Sequence, residues 1–347
     1  MSVPGAVFAR APPTRAREDG ARGAEATTDS LASLLDACER RAWTSIVART
    51  ASSGGGGGVD ARAVVTLRAL ALARLGRGRE AGEALATGTE AGDARSFAEM
   101  ALEVDCAHAS GDGEGGMDAM CALHALCAKR EGEANGEAAR ETWRRRRRTV
   151  ARATASRYMM ADDPRAALVW IDIMSRDEPD EPEHLSSAGR AHLMMGDLEG
   201  ARLCFNEAER LVNALGEGAS AEQRARVLCN RGDYFLVGAK YPEARAAYGA
   251  ALLKDEGDVA AKVNAAVASV YMGDLDSSRT LLEDGLVAAA NAPDGSKARD
   301  FITPSAVKNL QSIYELTARA PAEAKHGMNA FIKVVAPEDF DVTCLTS

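Results

Sequence analysis

The chain has 347 residues, 46% hydrophobic but only 5% aromatic, with 32 glycines and a formal net charge of −9. The acidic surplus argues against nucleic acid as the main partner, because phosphate binding needs a positive face. No apolar run approaches the roughly 18 residues of a transmembrane segment.

Seven cysteines are present, with no C-x-x-C pair. They read as small apolar filler in a reducing compartment. Residues 1–29 are rich in Arg, Ala, Pro and Gly. They lack the apolar core of a secretory signal, and Glu18, Asp19 and Glu25 count against an organelle transit peptide. A disordered tail is predicted there.

Residues 30–136 read as divergent helical hairpins. In Leu31–Ala48, the residues Leu31, Leu34, Leu35, Cys38, Ala42 and Ile46 fall near one helical face. A linker at 52–58 follows, carrying the five-glycine run Gly54–Gly58. Ala61–Leu75 and Arg79–Thr87 form a hairpin broken at Gly76–Gly78, and Ser96–Ser110 pairs with Met117–Arg130. The connection Gly111–Gly116 matches G-x-G-x-x-G, but a helix precedes it and Asp112 and Glu114 would repel pyrophosphate. A hairpin loop is expected instead.

Glu137–Met160 reads as one long helix, followed by Pro164–Met174. Pro179 and Pro182 punctuate the acidic connector Asp177–Glu183. From there the chain keeps a 34-residue beat, the period of the tetratricopeptide (TPR) repeat. Units fall at about 147–180, 182–215, 225–258 and 259–292, with inserts at 216–224 and 293–303. In unit 225–258, Gly232 marks a close helix approach, with Ala244, Tyr248 and Ala251 facing it. The matching residues are Gly189, Ala201, Phe205 and Ala208 in unit 182–215, and Ala266, Ser278, Leu282 and Gly285 in unit 259–292. Pro304–Thr317 and Ala322–Val335 make a C-terminal pair with a tail, over 304–347. The beat predicts an all-α, right-handed TPR-type α-solenoid of about seven antiparallel helical hairpins, a fold whose usual work is holding other proteins.

Asn230 and Asn264 share the sixth position of adjacent units, and Asn309 takes it if the last unit begins at Pro304. Side-chain amides both donate and accept, so a row of them could hold an extended partner backbone. The same amides could equally bond neighbouring helices. A two-carboxylate clamp for chaperone tails is absent, since Cys229, Asp233, Ser186, Arg190 and Ala260 occupy its positions. Arg144–Arg148 is too long to lie on one helical face. It reads mainly as a solvated or partner-facing helix, with Glu141 placed to pair with Arg145. A lipid or nuclear signal is the rival reading. The five histidines are dispersed, and no H-E-x-x-H, G-x-S-x-G or P-loop is present. No enzyme activity and no cofactor are expected. Cys344–Ser347 formally fits a prenylation box, with polar Thr346 at an aliphatic position.

From Trp143 onward the chain resembles the subunit-12 family of the transport protein particle (TRAPP) complexes. The resemblance is carried by His184–Val212 (HLSSAGRAHLMMGDLEGARLCFNEAERLV), Asn264–Asp284 (NAAVASVYMGDLDSSRTLLED), Asn309–Thr317 (NLQSIYELT) and the tail Asp339–Leu345 (DFDVTCL). It covers about 200 residues. The first 130 match loosely, through Arg41-Ala-Trp43, and the long N-terminal extension of the family is not expected. The resemblance implies a non-catalytic scaffold subunit of a vesicle tether, acting in ER-to-Golgi transport and at autophagic membranes. Its partners would be other TRAPP subunits, with a Rab GTPase and membranes reached indirectly. The expected location is cytoplasmic, peripheral to ER–Golgi membranes. A generic TPR adaptor of a co-chaperone or cell-division complex is the alternative.

Overall fold

The computed structural model describes residues 34–35, 37–38, 41–51, 59–87, 95–111, 113–293 and 296–345. The expected tail at 1–29 and the glycine linker at 52–58 lie outside these residues. Among the described residues the structure is all-α, with no strand. A leading helix α1 (Trp43–Arg49) is followed by helix–turn–helix pairs: α2 (Val59–Arg74) with α3 (Gly78–Thr87), and α4 (Phe97–Ala109) with α5 (Gly113–Glu133). Next come α6 (Glu137–Met160) and α7 (Pro164–Asp177), α8 (Pro182–Met194) and α9 (Leu198–Ala214), α10 (Ala221–Val237) and α11 (Tyr241–Leu252). The last pairs are α12 (Val259–Tyr271) with α13 (Leu275–Asn291), and α14 (Pro304–Thr317) with α15 (Pro321–Val335).

Local chemistry sets these boundaries. Side chains of Asp163, Asp197, Asp258, Asp274 and Thr303 cap the helices that follow them. Each accepts a backbone N–H that no helical carbonyl can reach. Ser96 and Ser220 form reciprocal capping boxes with Glu99 and Gln223. The turn between paired helices needs one left-handed residue. Gly196 and Gly273 supply it (φ 75° and 78°), but Ala239 adopts φ 56° at the equivalent place.

Three boundaries differ from the sequence reading. The helix expected over Leu31–Ala48 breaks at Arg41, which adopts φ 55°. There the amides of Arg41 and Ala42 bond back to the carbonyls of Cys38 and Ala37, and α1 begins at Trp43. The glycine string after Gly111 is not all loop, because α5 starts at Gly113. A Cβ at Gly116 would lie 2.5 Å from the His108 ring, so glycine here permits a close packing contact. Finally, the insert at 216–224 is one short 3-10 turn, Gly216–Gly218, and α10 already begins at Ala221 under its Ser220 cap.

The described residues divide into two compact units, one built on Ala155–Ala336 with residues 340–345, the other on residues up to Thr154 with 337–339. In the latter, Leu102 and Cys106 pack with Ala69, Leu72 and Ala81, and Val104, Met120, Leu123, Cys127 and Val150 form a second cluster. Arg62 grips the buried Glu99, its Nη2 2.7 Å from Oε2. The arginine run is largely consumed here. Arg144 Nε and Arg147 Nε reach Glu131 at 3.0 and 2.9 Å, and Arg146 lies over the Trp143 and Phe97 rings. Glu141 bonds Arg144 (2.9 Å) and Arg148 (2.7 Å) rather than Arg145, which stays exposed. The face directed at Glu131 draws the guanidinium groups away from the simple i,i+4 partner.

In two helix pairs of the unit on Ala155–Ala336, a glycine of one helix faces an aromatic ring of its pair. A Cβ at Gly189 would sit 2.2 Å from the Phe205 ring, and one at Gly232 2.4 Å from the Tyr248 ring. The rings are buried, with Ala201, Ala208, Ala244 and Ala251 fully buried beside them. The first helices of successive pairs, α8, α10, α12 and α14, pack on one another, whereas the second helices do not pack comparably on the next second helix. The first helices therefore form a continuous wall. At its end Phe340, Cys344 and Leu345 bury into the cluster of Leu310, Tyr314, Met328 and Ile332. The Gln311 amide donates to the Cys344 carbonyl (3.1 Å) and Asn329 to that of Leu345 (2.8 Å). The Cys344 thiol is buried, which pushes its pKa up and hides it from lipidation in this conformation.

Replacing Gly189 by Ala should force the Phe205 ring to move and lower stability by about 1–3 kcal/mol. Replacing Ala239 by Gly should relieve a left-handed alanine and raise stability by up to about 1 kcal/mol. Urea denaturation of the two variants checks both signs.

Candidate functional site

The candidate site is the wall of first helices. Ser186, Asn230 and Asn264 lie on adjacent members of it, α8, α10 and α12. Asn230 is buried, and its Nδ2 donates to Ser186 Oγ at 2.9 Å. Ser186 in turn donates to the Pro182 carbonyl at 3.0 Å. Asn264, half-buried, donates from Nδ2 to Asp233 Oδ1 at 3.2 Å, and the Tyr248 hydroxyl donates to the same oxygen at 2.7 Å. Asn309 is half-buried and has no side-chain hydrogen bond with the described residues. The three amides thus stand at one level of adjacent helices in different states. Asn230 is tied inside the wall, Asn264 lends one donor to a neighbouring helix, and Asn309 is uncommitted.

Around them lies a charged cluster that the amide row alone does not reveal. Arg190 donates from Nη2 to Glu183 Oε1 (2.7 Å) and Ser187 Oγ (2.9 Å), and Arg226 approaches the other Glu183 oxygen at 3.5 Å. Arg190 Nη1 and Asn230 Oδ1 are buried without a hydrogen-bond partner among the described residues. Burial holds the Asp233 carboxyl above the usual carboxylate range, although the Tyr248 hydroxyl and Arg190 pull it back down. Burial and the charges of Asp258 and Asp233 push the Cys229 thiol up to about 12. It is therefore an inert thiol rather than a nucleophile. The sequence does place Arg190 and Asp233 on this wall, but their fit to a chaperone clamp does not reveal that Arg190 bonds Glu183 and Ser187 or that Asp233 accepts from Tyr248 and Asn264. The signal available was their shared ninth position in consecutive units.

This arrangement can hold polar groups. Among the described residues, no three His, Cys, Asp or Glu side chains are placed to hold a metal ion. No helix among them is long and apolar enough to cross a membrane.

Fold and site together define an all-α helical-repeat protein. No family model matches the chain. Among curated proteins it is similar to trafficking protein particle complex subunit 12 of Mus musculus, 25% identical over 210 residues, which cover 60% of this chain and 25% of that protein. The Homo sapiens protein of that name is 25% identical over 187 residues, covering 54% of this chain and 24% of the relative. The matched region thus spans about a quarter of the length of these relatives. Among solved structures, a tetratricopeptide repeat protein from Parabacteroides merdae has a TM-score of 0.48 at 12% identity, covering 82% of this chain and 98% of its own. The Cut9–Hcn1 hetero-tetramer of the APC/C has a TM-score of 0.44 at 14% identity, covering 82% and 48%.

The raised Asp233 carboxyl sets a testable pH dependence. A group held above its unfolded pKa contributes stability below that unfolded value and loses it as pH rises through the folded value. Asp233→Asn keeps an oxygen for Tyr248 and Asn264 but cannot ionise. The variant should therefore gain on the wild type as pH rises from 4 to 7, measured by urea midpoints. A gap independent of pH would contradict the assignment.

Proposed function

We propose that this chain is a non-catalytic scaffold subunit of a TRAPP-type vesicle-tethering complex, acting in ER-to-Golgi transport and autophagy. The reading is supported above all by the similarity to the mouse and human subunit-12 proteins across 210 and 187 residues. A stacked-hairpin wall with unfilled polar capacity fits that role. In this reading the wall binds other subunits, and the chain reaches a Rab GTPase and membranes only through them. It works in the cytoplasm, peripheral to ER–Golgi membranes. Residues 137–292 are its TPR core, and 304–347 its closing helical pair and tail.

Asn264 and Asn309 are the partner-binding amides in this proposal. Asn230 supports them from inside the wall, so its replacement acts on stability first. Affinity purification of the full chain followed by mass spectrometry should recover TRAPP subunits. Replacing Asn264 and Asn309 together by Ala should weaken that recovery by about thirtyfold, since each lost hydrogen bond is worth about 1 kcal/mol. Recovery of chaperones or cell-division proteins without any TRAPP subunit would contradict the proposal.

A further inference from the structure

Two stretches far apart in the sequence, Arg41-Ala-Trp43 and the tail around Asp339, meet in the fold. Thr44, the second residue of α1, donates its backbone N–H to Glu338 Oε2 at 2.6 Å and its hydroxyl to Glu338 Oε1 at 2.5 Å, across 294 positions of chain. Beside it, Arg41 Nη2 lies 2.5 Å from Asp339 Oδ1. Pro337–Asp339 belongs to the same compact unit as Arg41 and Thr44, so these contacts are internal to that unit. Neither the repeat beat nor the wall of first helices accounts for them.

They fall where α1 has least support of its own. Trp43–Arg49 has seven residues, too few to hold a helix by propensity. Its N-cap position is Ala42, whose side chain caps nothing. An N-cap side chain ordinarily accepts the N–H of the second or third helical residue. Glu338 does this from the far end of the chain, and its negative charge suits the start of a helix. Arg41 adds a second difficulty, since φ 55° is unfavourable for a residue with a Cβ. Asp339, with its side chain only 12% exposed, pairs with the guanidinium that this conformation presents.

The rest of α1 is held by other means. Trp43 and Ile46 bury against Ala37 and Ala71, and Arg68 on α2 donates to the Val47 carbonyl at 2.8 Å. At the first turn the cap comes from Glu338. Thr44 and Glu338 are exposed, so water and salt compete for their bonds. A contact of this kind opens more readily than the packed helices beneath it.

We propose that Pro337–Asp339 is a releasable strap over α1. Glu338 and Asp339 hold its first turn closed, and their loss frees α1 from α2 and bares Trp43 and Ile46 while the helices that follow stay folded. α1 is thus a conditional cover on its own apolar cluster. The device is internal to this unit and does not depend on which assembly the chain serves.

Hydrogen exchange read by mass spectrometry on the full chain tests the strap. Replacing Glu338 and Asp339 together by Ala should speed exchange over Trp43–Arg49 by about tenfold or more and leave α4 and α5 unchanged. Raising salt to about 1 M, where screening acts within about 3 Å, should speed the same amides in the unmodified chain and add little in the variant. A charge swap separates the ion pair from a general loss of folding. Asp339→Arg alone should loosen α1, and adding Arg41→Asp should restore its protection, since Asp tolerates the left-handed conformation. Unchanged exchange over Trp43–Arg49 in the Ala variant would overturn the proposal. So would equal loss of protection across α2, α4 and α5, no effect of salt on the unmodified chain, or a swap that restores nothing.

Discussion

The close approach of a glycine to an aromatic ring within two consecutive hairpins is the constraint on which the repeat unit depends. At Gly189 and Gly232 a single added carbon would overlap Phe205 and Tyr248. With the carbon absent, the ring drops against the backbone of the opposite helix and fixes how far one helix slides along the other. That register carries forward. It sets which face of each first helix meets the next, and so aligns the sixth and ninth positions of α8, α10 and α12 into levels. Without this lock the amides would be scattered surface groups.

The phenol oxygens convert nesting within a hairpin into order between elements. Tyr248 donates to Asp233, which also accepts from Asn264 of the following helix. Further along, Tyr314 donates to the buried Glu283 at 2.8 Å, and Glu283 accepts from the buried Arg279 at 3.1 Å. Such buried charges are costly to desolvate and tolerated only when fully bonded. They discriminate against slipped arrangements, because any slip would strand a carboxylate. In unit 259–292 the lock changes form. Ala266 and Leu282 replace glycine and ring, and Gly285 instead takes Phe301 from the following insert, where a Cβ would lie 2.3 Å away. The insert is thus a packing element that carries its own aromatic plug.

Much of this order was legible in the sequence, because small residues, rings and caps each leave a local mark. Pro164, Pro182, Pro304 and the capping aspartates announce helix starts, and Gly189 with Phe205 announces the lock. Other features depend on partners that no local pattern names. Arg41 adopts a left-handed conformation because Trp43 is drawn into its own core, with Ala37, Ile46 and Ala71. Glu141 chooses Arg144 and Arg148 because Glu131 on another helix orients the run. At the candidate site, periodicity correctly places Asn230, Asn264 and Asn309 at one level, but burial separates their states. Only the packed structure shows that Asn230 faces Ser186 while Asn309 has no bond.

The central claim is that the stacked first helices, and not the flanking second helices, are the partner-bearing surface. Cross-linking mass spectrometry on the captured complex tests it directly, because lysines mark both surfaces. Lys308 lies on α14 of the wall and Lys240 at its edge, whereas Lys325 and Lys333 lie on α15. The account predicts intermolecular cross-links from Lys308 and Lys240 to a partner subunit. Partner cross-links confined to Lys325 and Lys333 would contradict it.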